Sequence, residues 1–313
     1  GSLVAGRGDC SGWSGSSQTS AKWQTGEVDH IRITRQVDLA EPVLLAAFRG
    51  WNDGGEAATT ALAYLRDRWG AEPFAELDPE EFYDFQVARP TVRLINGVTR
   101  QIDWPVSQFA HARVAGRDVV LFLAIEPNNR WRTFTETVVG LAHYVGVSTA
   151  VTMGAFLADV PHTLPTPVTG SAGDPQRAEE LGLSASRYEG PTGIVGVLHD
   201  AFAKAALPTA SLWAAVPHYI PGGPNPKAAR ALVEKVSAFA GLPVDMEALT
   251  RAGATWESQI SSTIEENAEL SAYVRQLEAT ASERGGLAEI PTGDSLAAEL
   301  ERFLREQRGE TGG

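Results

Sequence analysis

The stretch Val43-Leu44-Leu45-Ala46-Ala47-Phe48, continued by Arg49-Gly50-Trp51-Asn52-Asp53-Gly54-Gly55, decides the fold. Six consecutive apolar residues without polar alternation describe a strand buried on both faces, and such strands belong to sheets covered by helices on each side. Gly50, Gly54 and Gly55 punctuate its end, and residues 56–69 follow with a helical pattern.

Outward from this unit the alternation continues. Residues 82–87 read as a second strand. Val92-Arg93-Leu94-Ile95, Asn96-Gly97 and the strand-like residues 98–102 form the strongest local signal, a tight hairpin, because Asn and Gly tolerate positive φ. It is expected at an edge of the sheet. Residues 119–125 form another buried-type strand, followed by a helix over 133–144 and a strand over 147–153. Pro161, Pro165 and Pro167 make 159–173 an irregular loop, with a short helix near 175–181 after it. A helix over 194–206, a strand over 209–216, a turn-rich loop and a helix over 227–240 complete the series. Repeated strand, loop and helix units predict an α/β fold, a three-layer α/β/α sandwich with a mostly parallel sheet.

Three segments organise the chain. Residues 1–38, rich in Gly, Ser, Thr and Gln, read as a flexible arm. Residues 39–243 form the α/β domain. Residues 244–308 read as a helical lid or interface domain, with Trp256, Ile260, Ile264, Leu270, Val274 and Leu277 on one apolar stripe. Residues 282–291 interrupt it, and 294–307 supply a last amphipathic helix with Leu296, Leu300, Phe303 and Leu304 on one side.

Composition narrows the function. The 313 residues, 43% of them hydrophobic, can bury a full core. The single cysteine, Cys10, leaves no internal disulfide and fits a reducing compartment. A net charge of −13 argues against binding a nucleic-acid backbone, which draws on clustered Lys and Arg. The apolar runs at 43–48 and 119–125 fall far short of the roughly 20 residues that cross a bilayer, so no membrane partner is expected. No charged segment followed by an apolar one opens the chain, and the expected location is the cytoplasm.

Parallel sheets collect ligands outside the carboxyl ends of their strands. That rule selects Trp51, Asn52 and Asp53 after the first strand, Glu126 and Arg130 after 119–125, His162 after 147–153, and His218 and Tyr219 after 209–216. These residues would supply a carboxylate, an imidazole and a guanidinium to one pocket. Asp53 with Glu56 three residues later also fits a capping box, which is the preferred reading of Asp53. His162 and His218 equally suit hydrogen bonds to loop backbone. Thr192 and Gly193 open a helix whose free N–H groups could receive an anion, although Gly190-Pro191-Thr192-Gly193-Ile194-Val195-Gly196 lacks the ending of a P-loop and the spacing of a dinucleotide fingerprint. There is no Gly-x-Ser-x-Gly elbow, no His-Glu-x-x-His and no Cys/His spacing for a metal, so neither metal nor cofactor is expected.

Over residues 42–249 the chain resembles the proteasome assembly chaperone 2 family in its two-domain bacterial, actinobacterial form. The resemblance rests on Leu45-Ala46-Ala47-Phe48-Arg49-Gly50-Trp51-Asn52-Asp53-Gly54-Gly55, on Glu126-Pro127 with Arg130-Trp131-Arg132, and on Ala158-Asp159-Val160-Pro161-His162-Thr163. The glycine-rich 190–196 segment, Ser211-Leu212-Trp213, Pro217-His218-Tyr219 and Pro224-Asn225-Pro226-Lys227-Ala228 complete it. It implies a sandwich related to phosphorylase and hydrolase-like folds, a helical appendage and a homo-oligomer, with a trimer as the expected state. Eukaryotic and archaeal relatives dock on proteasome rings, often through a C-terminal hydrophobic residue, Tyr and one further residue. The ending Arg308-Gly309-Glu310-Thr311-Gly312-Gly313 departs from that pattern, so a protein partner is expected but proteasome docking is not. The resemblance brings no agreed catalytic residues. The expected function is a non-enzymatic, oligomeric protein-binding or assembly factor. The alternative is an enzyme or binder acting on a small anionic or nucleoside-like ligand at the carboxyl edge of the sheet.

Overall fold

The computed structural model describes residues 27–28, 30–173, 189–220 and 222–283, together with residues 176 and 179. In chain order these hold β1 (Glu27–Val28), β2 (Ile31–Ile33), β3 (Val43–Arg49), α1 (Ala57–Arg68), β4 (Glu72–Leu77), β5 (Thr91–Ile95), β6 (Thr99–Asp103), β7 (Ser107–Val114) and β8 (Arg117–Ile125). Then come α2 (Trp131–Tyr144), β9 (Thr149–Ala158), β10 (Val168–Ala172), α3 (Ile194–Lys204), β11 (Thr209–Pro217), α4 (Pro226–Ala240), α5 (Glu247–Glu265) and α6 (Ala268–Glu283).

The apolar run of β3 is buried on both sides because alternate residues enter different cores. Val43, Leu45 and Ala47 pack with α1 and α4, whereas Leu44, Ala46 and Phe48 pack with α2 and α3. Nine strands form one sheet in the order β1-β2-β4-β7-β8-β3-β9-β11-β10. Its centre is parallel: β3 pairs with β8 and β9, and β9 pairs with β11. Antiparallel strands extend both edges. The result is the expected α/β/α sandwich, a mixed sheet with helices on both faces and C-terminal helices after it.

Several local expectations differ. Residues 82–87 are not a strand: Asp78 caps a short 3₁₀ turn at Pro79–Glu81, and Phe82 and Tyr83 enter the core from the following turn. The strand lies earlier, as β4, where Pro73 and two glutamates disguise it; Pro73 sits at an irregularity in the pairing, the position a sheet tolerates for proline. The hairpin forms with Asn96 and Gly97 at φ 52° and 74°, but β5 and β6 make a separate two-stranded sheet instead of an edge of the main one. The proline loop contains β10, which starts directly after Pro167 and pairs with β11. Ile31, 5% exposed, and its neighbours bring the end of the arm into the sheet against β4. The apolar stripe after residue 244 lies on two helices, because Asn267 accepts from the N–H groups of Glu269 and Leu270 and starts α6. The helices expected near 175–181 and over 294–307 lie largely or wholly outside the described residues.

Candidate functional site

The loops after β3 and β8 meet at the start of α3. Gly50 turns the chain at φ 142°, and a Cβ there would stand 2.9 Å from that of Glu126, so only glycine lets the two loops approach. The Asn52 carbonyl accepts from Ala155 N–H at 2.8 Å and ties the loop to β9. Asp53 then points into the start of α1: Oδ1 accepts from the N–H groups of Ala58 and Thr59 at 2.8 and 3.2 Å, and Oδ2 accepts from the Thr59 hydroxyl. Capping is therefore its structural role, but without the reciprocal box, since Glu56 adopts φ 47° and its side chain makes no capping bond. Burial pushes the Asp53 carboxyl up to about 6, against the pull of its hydrogen bonds.

Glu126 does for α3 what Asp53 does for α1. Its Oε1 accepts from Ile194 N–H at 2.8 Å and its Oε2 from Trp51 N–H at 3.4 Å, while Asn52 Oδ1 accepts from Val195 N–H at 3.4 Å. The helix start after Thr192 and Gly193 thus receives an anionic group, and it is the chain's own carboxylate. An added Cβ on Gly193 would overlap the Asn52 amide, which explains a glycine at this cap. Burial raises the Glu126 carboxyl above the usual range.

Beside this node lies a cleft of about 820 Å³ between the sheet edge and the base of the hairpin. Trp51, Glu126 and Thr192 line it with Arg49, Arg89 and Trp104. Trp51 Nε1 is buried with no hydrogen-bond partner among the described residues. Arg130 turns away from the cleft to pair with Glu81.

The remaining candidates form a second cluster, built with the C-terminal helices. His162 is 3% exposed; its Nδ1 meets Tyr219 Oη at 2.8 Å and its Nε2 meets Ser261 Oγ of α5 at 3.0 Å. Tyr219 Oη also accepts from His162 N–H at 2.8 Å, leaving its own proton for Nδ1. In that tautomer Nε2–H donates to Ser261, the reverse of the polarity a serine nucleophile needs. Burial lowers the His162 pKa, which favours the neutral ring. Lys227 at the start of α4 donates to the His162 carbonyl at 2.6 Å and pairs with Glu257 of α5. From α6, Glu278 accepts from Thr163, and Tyr273 donates to Asp159 at 2.9 Å. Asp159 also meets His218 Nδ1 at 3.1 Å. Burial holds the Tyr219 hydroxyl up at about 12.

The eight candidates therefore divide. Trp51, Asn52, Asp53 and Glu126 form the capping node, His162, His218 and Tyr219 form a latch to α5 and α6, and Arg130 joins neither. Lys227, Glu257, Ser261, Tyr273 and Glu278 were not anticipated as partners in the latch, because they lie up to 115 residues from the loop they hold and no local motif links them. Lys227→Met strands the Glu257 carboxylate and the His162 carbonyl. It is expected to raise amide hydrogen exchange in α5 and α6 about tenfold, corresponding to about 1.4 kcal/mol of lost docking, with the central strands unchanged. Unchanged exchange in α5 and α6 would remove the latch.

Comparison with known proteins agrees with this architecture. The chain is similar to a PAC2 family protein from Streptomyces avermitilis, with 45% identity and a TM-score of 0.70 over 74% of this chain and 99% of the other. It is similar to a Mycobacterium tuberculosis proteasome-assembly chaperone homologue, with 46% identity and a TM-score of 0.68 over 74% and 99%. A Pyrococcus furiosus archaeal proteasome activator shares the fold at 16% identity, with a TM-score of 0.60 over 74% and 97%. No curated protein matches the chain. With the sequence profile of the PAC2 family matching residues 47–264, and with these actinobacterial relatives, the chain belongs to the PAC2 family.

Proposed function

We propose that this chain is a non-enzymatic, oligomeric protein-binding or assembly factor of the cytoplasm, with a trimer as its working state. The observation that carries the reading is the use made of the polar side chains at the carboxyl edge. Asp53, Asn52 and Glu126 accept from N–H groups at the starts of α1 and α3, with the Thr59 hydroxyl and Trp51 N–H donating to the other carboxylate oxygens, and both ring nitrogens of His162 meet hydroxyls. Groups so engaged hold loops and helices in place, which suits a rigid platform for other proteins. The likeness to a proteasome-assembly chaperone homologue supports the same class of work. The small-ligand alternative has weaker support, since only Trp51, Glu126 and Thr192 of the candidate residues line the cleft.

The test is assembly of actinobacterial proteasome α and β subunits with and without the purified chain, followed by native mass spectrometry. Docking on finished rings is not expected; a complex with an assembly intermediate, or faster appearance of complete particles, would name the proteasome subunits as the partner. An unchanged assembly rate with no complex removes the proteasome as partner. The protein-binding reading would then stand on crosslinking in a native host alone, and a chain that crosslinks to nothing there ends it.

A further inference from the structure

All eight large apolar side chains that stand exposed among the described residues lie on one 20-residue segment, from Val87 to Val106. Val92, Leu94, Val98 and Ile102 sit on the hairpin itself, at 61%, 62%, 84% and 57% exposure, and Trp104 and Val106 sit at its base. The β5–β6 register places Val92 opposite Ile102 and Leu94 opposite Arg100, so these side chains share one face. A two-stranded hairpin is marginal in water, and among the described residues this one is hydrogen-bonded to no third strand. At these exposures Val92, Leu94, Val98 and Ile102 present on the order of 400 Å² on that face, the size at which an apolar surface patch is often functional.

Charge narrows the occupant. The segment 87–106 carries three arginines against one aspartate, on a chain whose net charge is −13. Arg93 pairs with Asp103, while Arg89 and Arg100 have no ion pair among the described residues. Two hairpins packed face to face would set these arginines against their own copies. An acidic surface suits them better, and the chain has one: α5 and α6 with the turn between them, residues 247–283, hold seven glutamates against two arginines. Glu265, Glu266 and Glu269 stand exposed at the turn between the two helices.

We propose that the hairpin Thr91–Asp103 docks on a second copy of this chain, with Arg100 set against the exposed glutamates of the neighbour's α5–α6 turn and its apolar face against the half-buried Ile260 and Leu270 of the same two helices. Two different patches meet in such a contact. It is heterologous and generates a closed ring when the rotation closes, as a trimer requires. The proposal rests on the oligomer reading above and names the surface that carries it.

Sedimentation equilibrium over a dilution series tests it. The double variant Leu94→Asp/Val98→Asp is expected to raise the dissociation constant about 100-fold, and Arg100→Glu about tenfold. Because these side chains are exposed, circular dichroism and the thermal midpoint of the monomer should stay as in the wild type. Glu266→Arg combined with Arg100→Glu should restore association. A wild-type chain that is monomeric throughout removes the oligomer reading itself. An oligomer that survives the double variant unchanged overturns only the interface, and a charge swap that fails to restore association overturns the receiving surface.

Discussion

Asp53→Ala is expected to destabilise the protein by about 3 kcal/mol at pH 5, while Asp53→Asn stabilises it at pH 8. The alanine variant leaves the N–H groups of Ala58 and Thr59 and the Thr59 hydroxyl without their acceptor in a buried site. Asparagine keeps a carbonyl for the two N–H groups and an amide for the hydroxyl, and it carries no charge. The sign follows from the raised pKa. With a folded value of about 6 against an ordinary 3.8, the folded state prefers protonated Asp53. That preference is fully present below pH 3.8 and is lost as pH rises through 6. At 1.4 kcal/mol per pH unit, the ionised carboxylate costs about 3 kcal/mol at neutral pH and above.

Between pH 5 and pH 8 the gap between the asparagine variant and the wild type should therefore widen by about 1.4 kcal/mol. Other groups carry shifts of their own. Glu126, raised by burial, works in the same direction as Asp53. His162 and His199, lowered by burial, work oppositely, with stability present above their unfolded value and lost as pH falls. All three remain in both proteins, so the difference isolates Asp53. Urea unfolding at the two pH values is the measurement. Parallel pH profiles for wild type and Asp53→Asn would show that the buried carboxyl does not titrate as described.

Phe122→Ala should cost about 4 kcal/mol, the largest effect of any single change considered. Phe122 is fully buried on β8 and stacks on Phe109 of β7 at 4.0 Å between ring centroids, with an interplanar angle of 8°. Phe48 of β3 meets it edge-on at 5.5 Å, and Phe134 of α2 lies 6.1 Å away. One ring thus joins three strands and the helix that covers them. Truncation leaves a cavity walled by other rings, which are too stiff to collapse into it. Phe122→Leu refills most of the space and should lose less than half as much. Denaturant midpoints for the two variants provide the check; a cost below about 1 kcal/mol for alanine would mean that the layer repacks freely.

How much of this could be read in advance depends on the range of the interaction that fixes each feature. β3, β8, β9 and β11 carry continuous apolar runs, a pattern that burial on two faces imposes residue by residue, and the helices that cover them show the matching period. The Asn96-Gly97 turn was legible for the same reason, because positive φ is a property of those two residues. β4 was hidden by Pro73 and its glutamates, and Phe82 and Tyr83 passed for a strand because their burial comes from a turn that points into the aromatic layer. Asn267 was a helix cap in plain view, overlooked beneath an apolar stripe that runs through it.

The candidate side chains were chosen by the rule for strand ends, which works from the position of a residue in sequence. It could not say how they divide, nor that Glu126 reaches Ile194 across 68 residues or that α6 closes on the loop after β9. Local chemistry alone therefore determined the layers, the parallel centre, the hairpin and the list of polar groups at one edge. Tertiary structure decided which of those groups meet and which acceptors are already used. It also decided that the hairpin's apolar face finds no cover among the described residues. Hydrogen-bond partners and burial depend on distances between segments far apart in sequence, and a period or a motif carries no record of those distances.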